Sequence, residues 1–207
     1  MFRLACALVI AAFTVAGWTA PEVQAAPTDA KSYVIDIGER AIRELTPKDI
    51  SDAERVKRLR VLLVEVLDVN AISKFVLGIY WRRTTEDQRA EFLKLYKTVV
   101  SHSYAGLFKK FSIETFEVIR QVAMSGGGTI VYCRINRMNG SPVAVELQVV
   151  KKSDTYKVVD IKIEGVSMPL VHRKEYSSVI RRNRGNVGRL LNVLRKKASI
   201  LEDSISE

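Results

Sequence analysis

A chain of 207 residues, 47% of them hydrophobic, can bury one full core and has a composition that argues against a disordered chain. Lys and Arg number 33 against 23 Asp and Glu, which gives a formal net charge of +10. That imbalance is informative about partners, and it leaves nucleic acid, an anionic membrane and an acidic protein open.

Residues 1–25 have the pattern of a secretory signal peptide. A positive start is followed by apolar or small residues from 4 to 17, and small or branched residues stand at the positions that signal peptidase reads before Ala25. A membrane anchor would need about 20 uninterrupted apolar residues, and Pro21 and Glu22 interrupt this run. We therefore predict a secretory signal that is cleaved after Ala25, and export of the mature chain.

Export has two consequences for the mature chain. Cys133 remains as its only cysteine, so an intramolecular disulfide is excluded and the core alone must stabilise the fold. Because Cys133 lies in an alternating strand pattern, we expect a buried small side chain and not a reactive thiol. An exported basic protein meets anionic lipid headgroups or a protein more often than nucleic acid, so no nucleic-acid partner is expected.

Apolar spacing predicts three helices at the start of the mature chain. The first covers residues 31–45, the second begins at Ser51 or Asp52, and the third runs from its cap Asp68 to Gly78. The basic residues of the second helix lie mostly opposite its apolar face, so we expect a solvated surface formed by Arg55, Lys57, Arg58 and Arg60.

The longest predicted element is a helix of seven or eight turns that ends at Phe111, about 40 Å at 1.5 Å per residue. Thr84 or Thr85 can cap its start, with Asp87 or Gln88 completing a capping box. Its apolar face recurs at steps of three and four residues and comprises Phe92, Tyr96, Val99, Val100, Tyr104, Leu107 and Phe111, widened by Leu93, Leu95 and Phe108.

After residue 111 the apolar period changes to two. This pattern predicts four antiparallel strands over residues 113–122, 129–136, 143–149 and 159–163, joined by short turns. Phe116, Val118 and Val122 would share one face of the first strand. The face that must be covered also includes Val143, Val145, Leu147, Val149, Val159, Ile161 and Ile163, and the long helix is the obvious cover.

Two further helices are predicted around residues 176–180 and 187–197, followed by a flexible tail over residues 201–207. The order of helices, strands and helices predicts one α+β domain over residues 26–200. A four-stranded antiparallel sheet would pack against the long helix and the flanking helices. Periodicity alone fits a solid core and a lipid-sized cavity, and the residues alone favour a solid core.

The sequence offers little for catalysis. His102 and His172 have no partner at metal-ligand spacing, and Gly126–Gly128 lacks a nucleotide-binding pattern and fits a hairpin turn. Asp160 and Glu164 would lie about 13 Å apart on one strand at 3.3 Å per residue, too far for acid–base work on one bond. We expect no enzyme, no metal and no cofactor, and strand-end hydrogen bonds or salt bridges for the two carboxylates.

Three stretches resemble the MlaC/toluene-tolerance family of periplasmic phospholipid-binding proteins. They are VLGIYWRRTTEDQRAEF at residues 76–92, VVDIKIEGVSM at residues 158–168 and RKEYSSVI at residues 173–180. Their order and coverage of nearly the whole mature chain make the resemblance specific. The sequence departs from the family pattern at Tyr156, where a tryptophan is expected, and at Met168-Pro169.

The resemblance implies a monomeric carrier with phospholipid as its cargo. Such a carrier takes the acyl chains into an apolar pocket between sheet and helices, leaves the headgroup near the mouth and makes no covalent bond. It shuttles lipid between an outer-membrane lipoprotein complex and an inner-membrane ABC transporter with an MCE-domain protein. One branch of the family is associated with hopanoid export, so a hopanoid or another apolar cargo stays open, as does a basic adaptor without cargo.

With this resemblance, the apolar faces become candidate lipid contacts. They comprise Tyr80, Trp81, Phe92, Tyr96, Val100, Tyr104, Leu107, Phe108, Phe111, Val145, Leu147, Val149, Val159, Ile161, Ile163, Val166, Met168, Tyr176 and Ile180. Tyr80 and Trp81 would line the mouth. Arg82, Arg83 and Arg173 are therefore expected to contact the headgroup or a partner.

Overall fold

The computed structural model describes residues 29–110 and 113–204. The predicted signal peptide, Phe111 and the last three residues of the predicted tail lie outside this part of the chain. The described helices are α1 (Ala30–Leu45), α2 (Asp52–Val66), α3 (Val69–Leu77), a 3₁₀ helix (Gly78–Arg83), α4 (Glu86–Lys110), α5 (Met168–Arg182) and α6 (Val187–Asp203). The described strands are β1 (Ile113–Ala123), β2 (Thr129–Arg137), β3 (Val143–Lys152), β4 (Thr155–Ile163) and β5 (Val166–Ser167).

The helices begin where the sequence places caps. The side chain of Ser51 accepts a hydrogen bond from the backbone N–H of Glu54 at 3.1 Å, which settles the start of α2. At the start of α4, the backbone N–H of Gln88 donates to the Thr85 hydroxyl and the N–H of Thr85 donates to the Gln88 side chain, both at 3.2 Å. The predicted capping box is thus confirmed.

The sheet is an antiparallel meander in the order β1-β2-β3-β4-β5. The α+β class and the four long strands agree with the sequence prediction. The fifth strand, Val166–Ser167, pairs with the end of β4. Two residues are too few to show a period, so this strand left no signal in the sequence.

Two irregularities reverse the predicted alternation. In β4, Val149 pairs with Val158 while Gln148 pairs with Asp160, so Val159 is the extra residue of a bulge. Val158 is consequently the residue buried against the core, and the prediction for Val159 is wrong. A similar shift in β1 leaves Val122 41% exposed. A single inserted residue reverses the alternation on one side of the bulge relative to the other.

The buried residues form two clusters. The first cluster joins the inner face of the sheet to α1 and α2. The second cluster joins α3, the 3₁₀ helix, α4, α5 and α6. The long helix α4 packs mainly against α2 and α6, whereas α1 lies directly on the sheet. The helix α4 still covers the inner face of the sheet, as predicted, with an open space between much of its length and the strands.

None of the described helices is both long and apolar enough to cross a bilayer.

Candidate ligand-binding cavity

A cavity of about 630 Å³ lies between the sheet and the helices. Its walls come from α1, α2, the second half of α4, the start of α5 and the inner face of β1 to β4. Protein interiors normally contain few voids larger than a water molecule. The space is therefore a feature of the fold. The residues alone favoured a solid core, and that expectation is wrong.

The cavity opens to solvent at one end of the sheet. Ser141, Pro142 and Glu164 line it there and are exposed, and Arg137 completes this mouth. The Nε–H of Arg137 donates to the backbone carbonyl of Ser141 at 2.9 Å, which holds the guanidinium at the hairpin between β2 and β3. Among the described residues, the mouth therefore carries the cation Arg137 and the carboxylate Glu164.

Gly38 lets α1 approach the sheet closely at the cavity wall. A Cβ atom at this position would lie 2.0 Å from Cδ1 of Phe116, well inside van der Waals contact. The ring of Phe116 is thus seated against the α1 backbone, and both residues line the cavity. Any side chain at position 38 would move this ring.

One part of the apolar wall carries polar groups, which we call the polar cluster: Tyr96, Tyr104 and His172. The Tyr96 hydroxyl lies 2.9 Å from His172 Nδ1, and the Tyr104 hydroxyl lies 3.3 Å from His172 Nε2. The Tyr176 ring stacks on the imidazole, with centroids 5.9 Å apart and planes 8° apart. Burial lowers the pKa of His172 and raises the pKa of Tyr96 and Tyr104, so all three groups are neutral at pH 7.

Ten of the predicted lipid contacts lie on the cavity wall: Tyr96, Val100, Tyr104, Leu107, Phe108, Val145, Leu147, Ile161, Ile163 and Met168. Nine of them belong to α4 and the sheet, which face each other across the open space, and Met168 is the first residue of α5.

The other described candidates lie elsewhere. Tyr80, Trp81, Phe92, Tyr176 and Ile180 pack in or against the second cluster, because the wide apolar face of α4 serves α5 and α6 as well as the cavity. The remaining three candidates are also absent from the wall. Val149 is packed in the first cluster, Val159 sits at the β4 bulge and Val166 is 56% exposed.

The three predicted headgroup arginines do not line the cavity. Arg82 and Arg83 are exposed on the 3₁₀ helix. The guanidinium of Arg173 lies 4.8 Å from the centre of the Phe75 ring and borders a smaller surface hollow. The predicted mouth beside Tyr80 and Trp81 is therefore displaced from the opening at Arg137.

Sequence reasoning missed several wall residues. The cavity is also lined by Ile37, Gly38 and Ala41 of α1 and by Leu59 and Leu63 of α2. The spacing of these residues in the sequence is that of any helix packed on a core. Nothing in the sequence marks Arg137, which is one of many basic residues. His172 was considered only as a metal ligand, and its neighbours Arg173 and Lys174 argue against a bound cation.

Other polar groups have structural roles. Asp160 accepts a hydrogen bond from the Ser167 hydroxyl at 2.9 Å, and Glu164 accepts one from the backbone N–H of Ala144 at 2.6 Å, which confirms strand-end hydrogen bonds. Cys133 is buried, and burial raises the pKa of its thiol to about 12. Across residues 29–110 and 113–204, no three His, Cys, Asp or Glu side chains come together as a metal site.

An α+β layer structure with a large apolar cavity that opens to solvent is typical of proteins that bind an apolar small molecule. The model of the MlaC protein family matches residues 37–196. The chain therefore belongs to the MlaC family, as its three motifs indicated.

Two comparisons describe its relatives. The chain is 26% identical over 129 residues to the intermembrane phospholipid transport system binding protein MlaC of Haemophilus influenzae, a match that covers 60% of this chain and 59% of that protein. It shares its fold with a phospholipid-binding protein from Ralstonia solanacearum that was solved in complex with a phospholipid. That likeness has a TM-score of 0.74 and 22% identity, and covers 84% of this chain and 99% of the other.

Proposed function

We propose that this protein is a periplasmic lipid carrier that holds the acyl chains of a phospholipid in the cavity and leaves the headgroup at the mouth. The observation that carries this proposal is the open apolar cavity of about 630 Å³, a volume within the range of ligand sites. The MlaC relative is named as a phospholipid transport protein, and the Ralstonia solanacearum structure contains a phospholipid.

Energetics support a filled cavity. The apolar walls of this open space would face water if no ligand filled it, and covering apolar surface is favourable by about 25 cal/mol per Å². Exposing two sixteen-carbon tails to water would cost on the order of 25 kcal/mol at ~0.8 kcal/mol per methylene. The free energies of the protein and of the lipid are therefore both lower when the tails occupy the cavity.

The carrier role needs no covalent step, so we propose that the protein acts without catalysis. It would be exported by its cleaved signal peptide and would work as a monomer between an outer-membrane lipoprotein complex and an inner-membrane ABC transporter with an MCE-domain protein. The net charge of +10 supports encounters with anionic membrane surfaces. Arg137, at the mouth, is the cation best placed for a lipid phosphate.

The test is to purify the protein gently from a Gram-negative periplasm and to identify what it carries by native mass spectrometry and lipid extraction. Phospholipid at up to one molecule per protein is expected, with renewed uptake from liposomes after delipidation. A hopanoid in the spectrum would change the cargo and keep the carrier. Protein that comes without lipid and takes up none from liposomes would be a basic adaptor, and the proposal would be wrong.

A further inference from the structure

The polar cluster interrupts an otherwise apolar wall. His172 is 9% exposed and Tyr96 is 5% exposed, and both line the cavity together with Tyr104. A packed apolar wall needs no such group, because burying polar atoms costs free energy unless each one is hydrogen-bonded. Packing alone therefore does not explain why these polar side chains lie in the cavity wall.

The number of protons in the cluster exceeds the number of its internal hydrogen bonds. A neutral imidazole has one donor and one acceptor nitrogen, and each tyrosine hydroxyl has one donor. Three donor hydrogens thus serve two contacts, Tyr96 to Nδ1 and Tyr104 to Nε2. Whichever tautomer His172 adopts, one tyrosine accepts from the imidazole and keeps its own O–H for another acceptor.

Hydrogen positions are assigned and not observed, and we assign this role to Tyr104 from the two contact lengths and from the burial of the two tyrosines. The shorter contact, 2.9 Å, joins the Tyr96 hydroxyl to Nδ1 and fits O–H donation to the ring. The longer contact, 3.3 Å, then has Nε2–H donating to the Tyr104 oxygen. Tyr104 is also the less buried of the two tyrosines, and Tyr176 keeps the imidazole in place by stacking.

We propose that the Tyr104 hydroxyl, oriented by His172 and Tyr96, donates a hydrogen bond to an ester carbonyl of an acylated lipid inside the cavity. This inference rests on the proposed carrier function and adds a preference within it. The cavity would select lipids whose chains are joined by esters, because an ether-linked lipid has no carbonyl to accept this bond. His172 would act as a positioning residue.

The test compares two phosphatidylglycerols with equal chains, one with two palmitoyl esters and one with two hexadecyl ethers. Delipidated protein should bind the ester lipid roughly tenfold more tightly than the ether lipid, the effect of about one hydrogen bond. Tyr104→Phe should bind both lipids equally. Tyr132→Phe removes a hydroxyl from the outer face of the sheet, where the Arg120 guanidinium lies over the Tyr132 ring, and should keep the preference.

Infrared spectra of the ester lipid labelled with ¹³C at its carbonyls supply a second measurement on the unaltered protein. One carbonyl band should shift to lower frequency on binding, as hydrogen bonding weakens the C=O bond. Equal affinity for the two lipids with no shifted band would overturn this inference and leave the carrier function standing. Binding of neither lipid would overturn both proposals.

Discussion

Arg55 is a charged side chain that the fold buries almost completely, at 2% exposure. Its guanidinium donates to the backbone carbonyls of Leu45, Pro47 and Ile50. These carbonyls lie at the end of α1 and in the turn before α2, where helix carbonyls lack partners within the helix. The expectation that Arg55 belongs to a solvated face is wrong, since helical spacing does not reveal a neighbouring chain end.

Replacing Arg55 should therefore destabilise the fold. Arg55→Met keeps the length of the side chain but leaves several carbonyls without a donor, and should lower the free energy of unfolding by about 2–4 kcal/mol. Lys57→Met, on the same helix with a side chain 78% exposed, should change it by less than about 0.5 kcal/mol. Urea denaturation measures both variants, and equal effects would contradict the structural role of Arg55.

Gly38 offers a second test at the level of one residue. Gly38→Ala should push the Phe116 ring out of its seat and cost about 1–3 kcal/mol through overpacking. Gly106→Ala is the matched control, because a Cβ atom at this α4 position meets nothing within 4 Å. The control should stabilise the helix by about 0.5–1 kcal/mol. Urea denaturation measures the free energy of unfolding of both variants. If Gly38→Ala raises this free energy as Gly106→Ala does, the contact between Gly38 and Phe116 is unimportant.

At the level of elements, the position of α4 decides whether the apolar face of the sheet is packed or open. The helix packs against α2 and α6, so its second half faces the sheet across the cavity. Neighbouring inward residues of β3 consequently differ in their surroundings. Leu147 lines the cavity, whereas Val149, two residues on along the same face, is enclosed by the first cluster.

A tryptophan at each position should separate these two environments. Leu147→Trp can extend into the open space, so the protein should stay folded with a stability within about 1 kcal/mol of the original while carrying much less lipid. Val149→Trp enters a packed site and should cost about 1–3 kcal/mol or more. Thermal unfolding and lipid extraction measure both outcomes. If Leu147→Trp retains its full lipid content, the cavity is not the lipid site.

At the level of the whole molecule, the charge of +10 is spread over surfaces with different roles. The mouth of the cavity carries Arg137 and Glu164, while Arg82 and Arg83 lie outside the cavity lining. A contact of Arg82, Arg83 or Arg173 with a partner protein stays a prediction. The cavity geometry favours Arg137 for the headgroup.

Charge reversal should distinguish these two sites. Arg137→Glu should weaken binding of an anionic phospholipid roughly tenfold, since a cation near lipid phosphate contributes about 1 kcal/mol and the variant replaces attraction with repulsion. The double variant Arg82→Glu, Arg83→Glu changes the net charge twice as much and should leave binding unchanged. Fluorescence titration with delipidated protein measures both. The opposite ranking would place the headgroup beside Tyr80 and Trp81.

The sequence by itself determined the six α-helices and four long strands that the structure describes, and their order. Caps such as Ser51 and Thr85 act on residues three positions away, and the alternation of Val145 and Leu147 reflects the strand period, so both are readable from a local pattern. Only the tertiary structure decided that the space inside is open, that Val158 replaces Val159 and that Arg55 and His172 are buried. Those features depend on distances between elements that are far apart in the chain. The periodicity of apolar residues within one element does not reveal such distances.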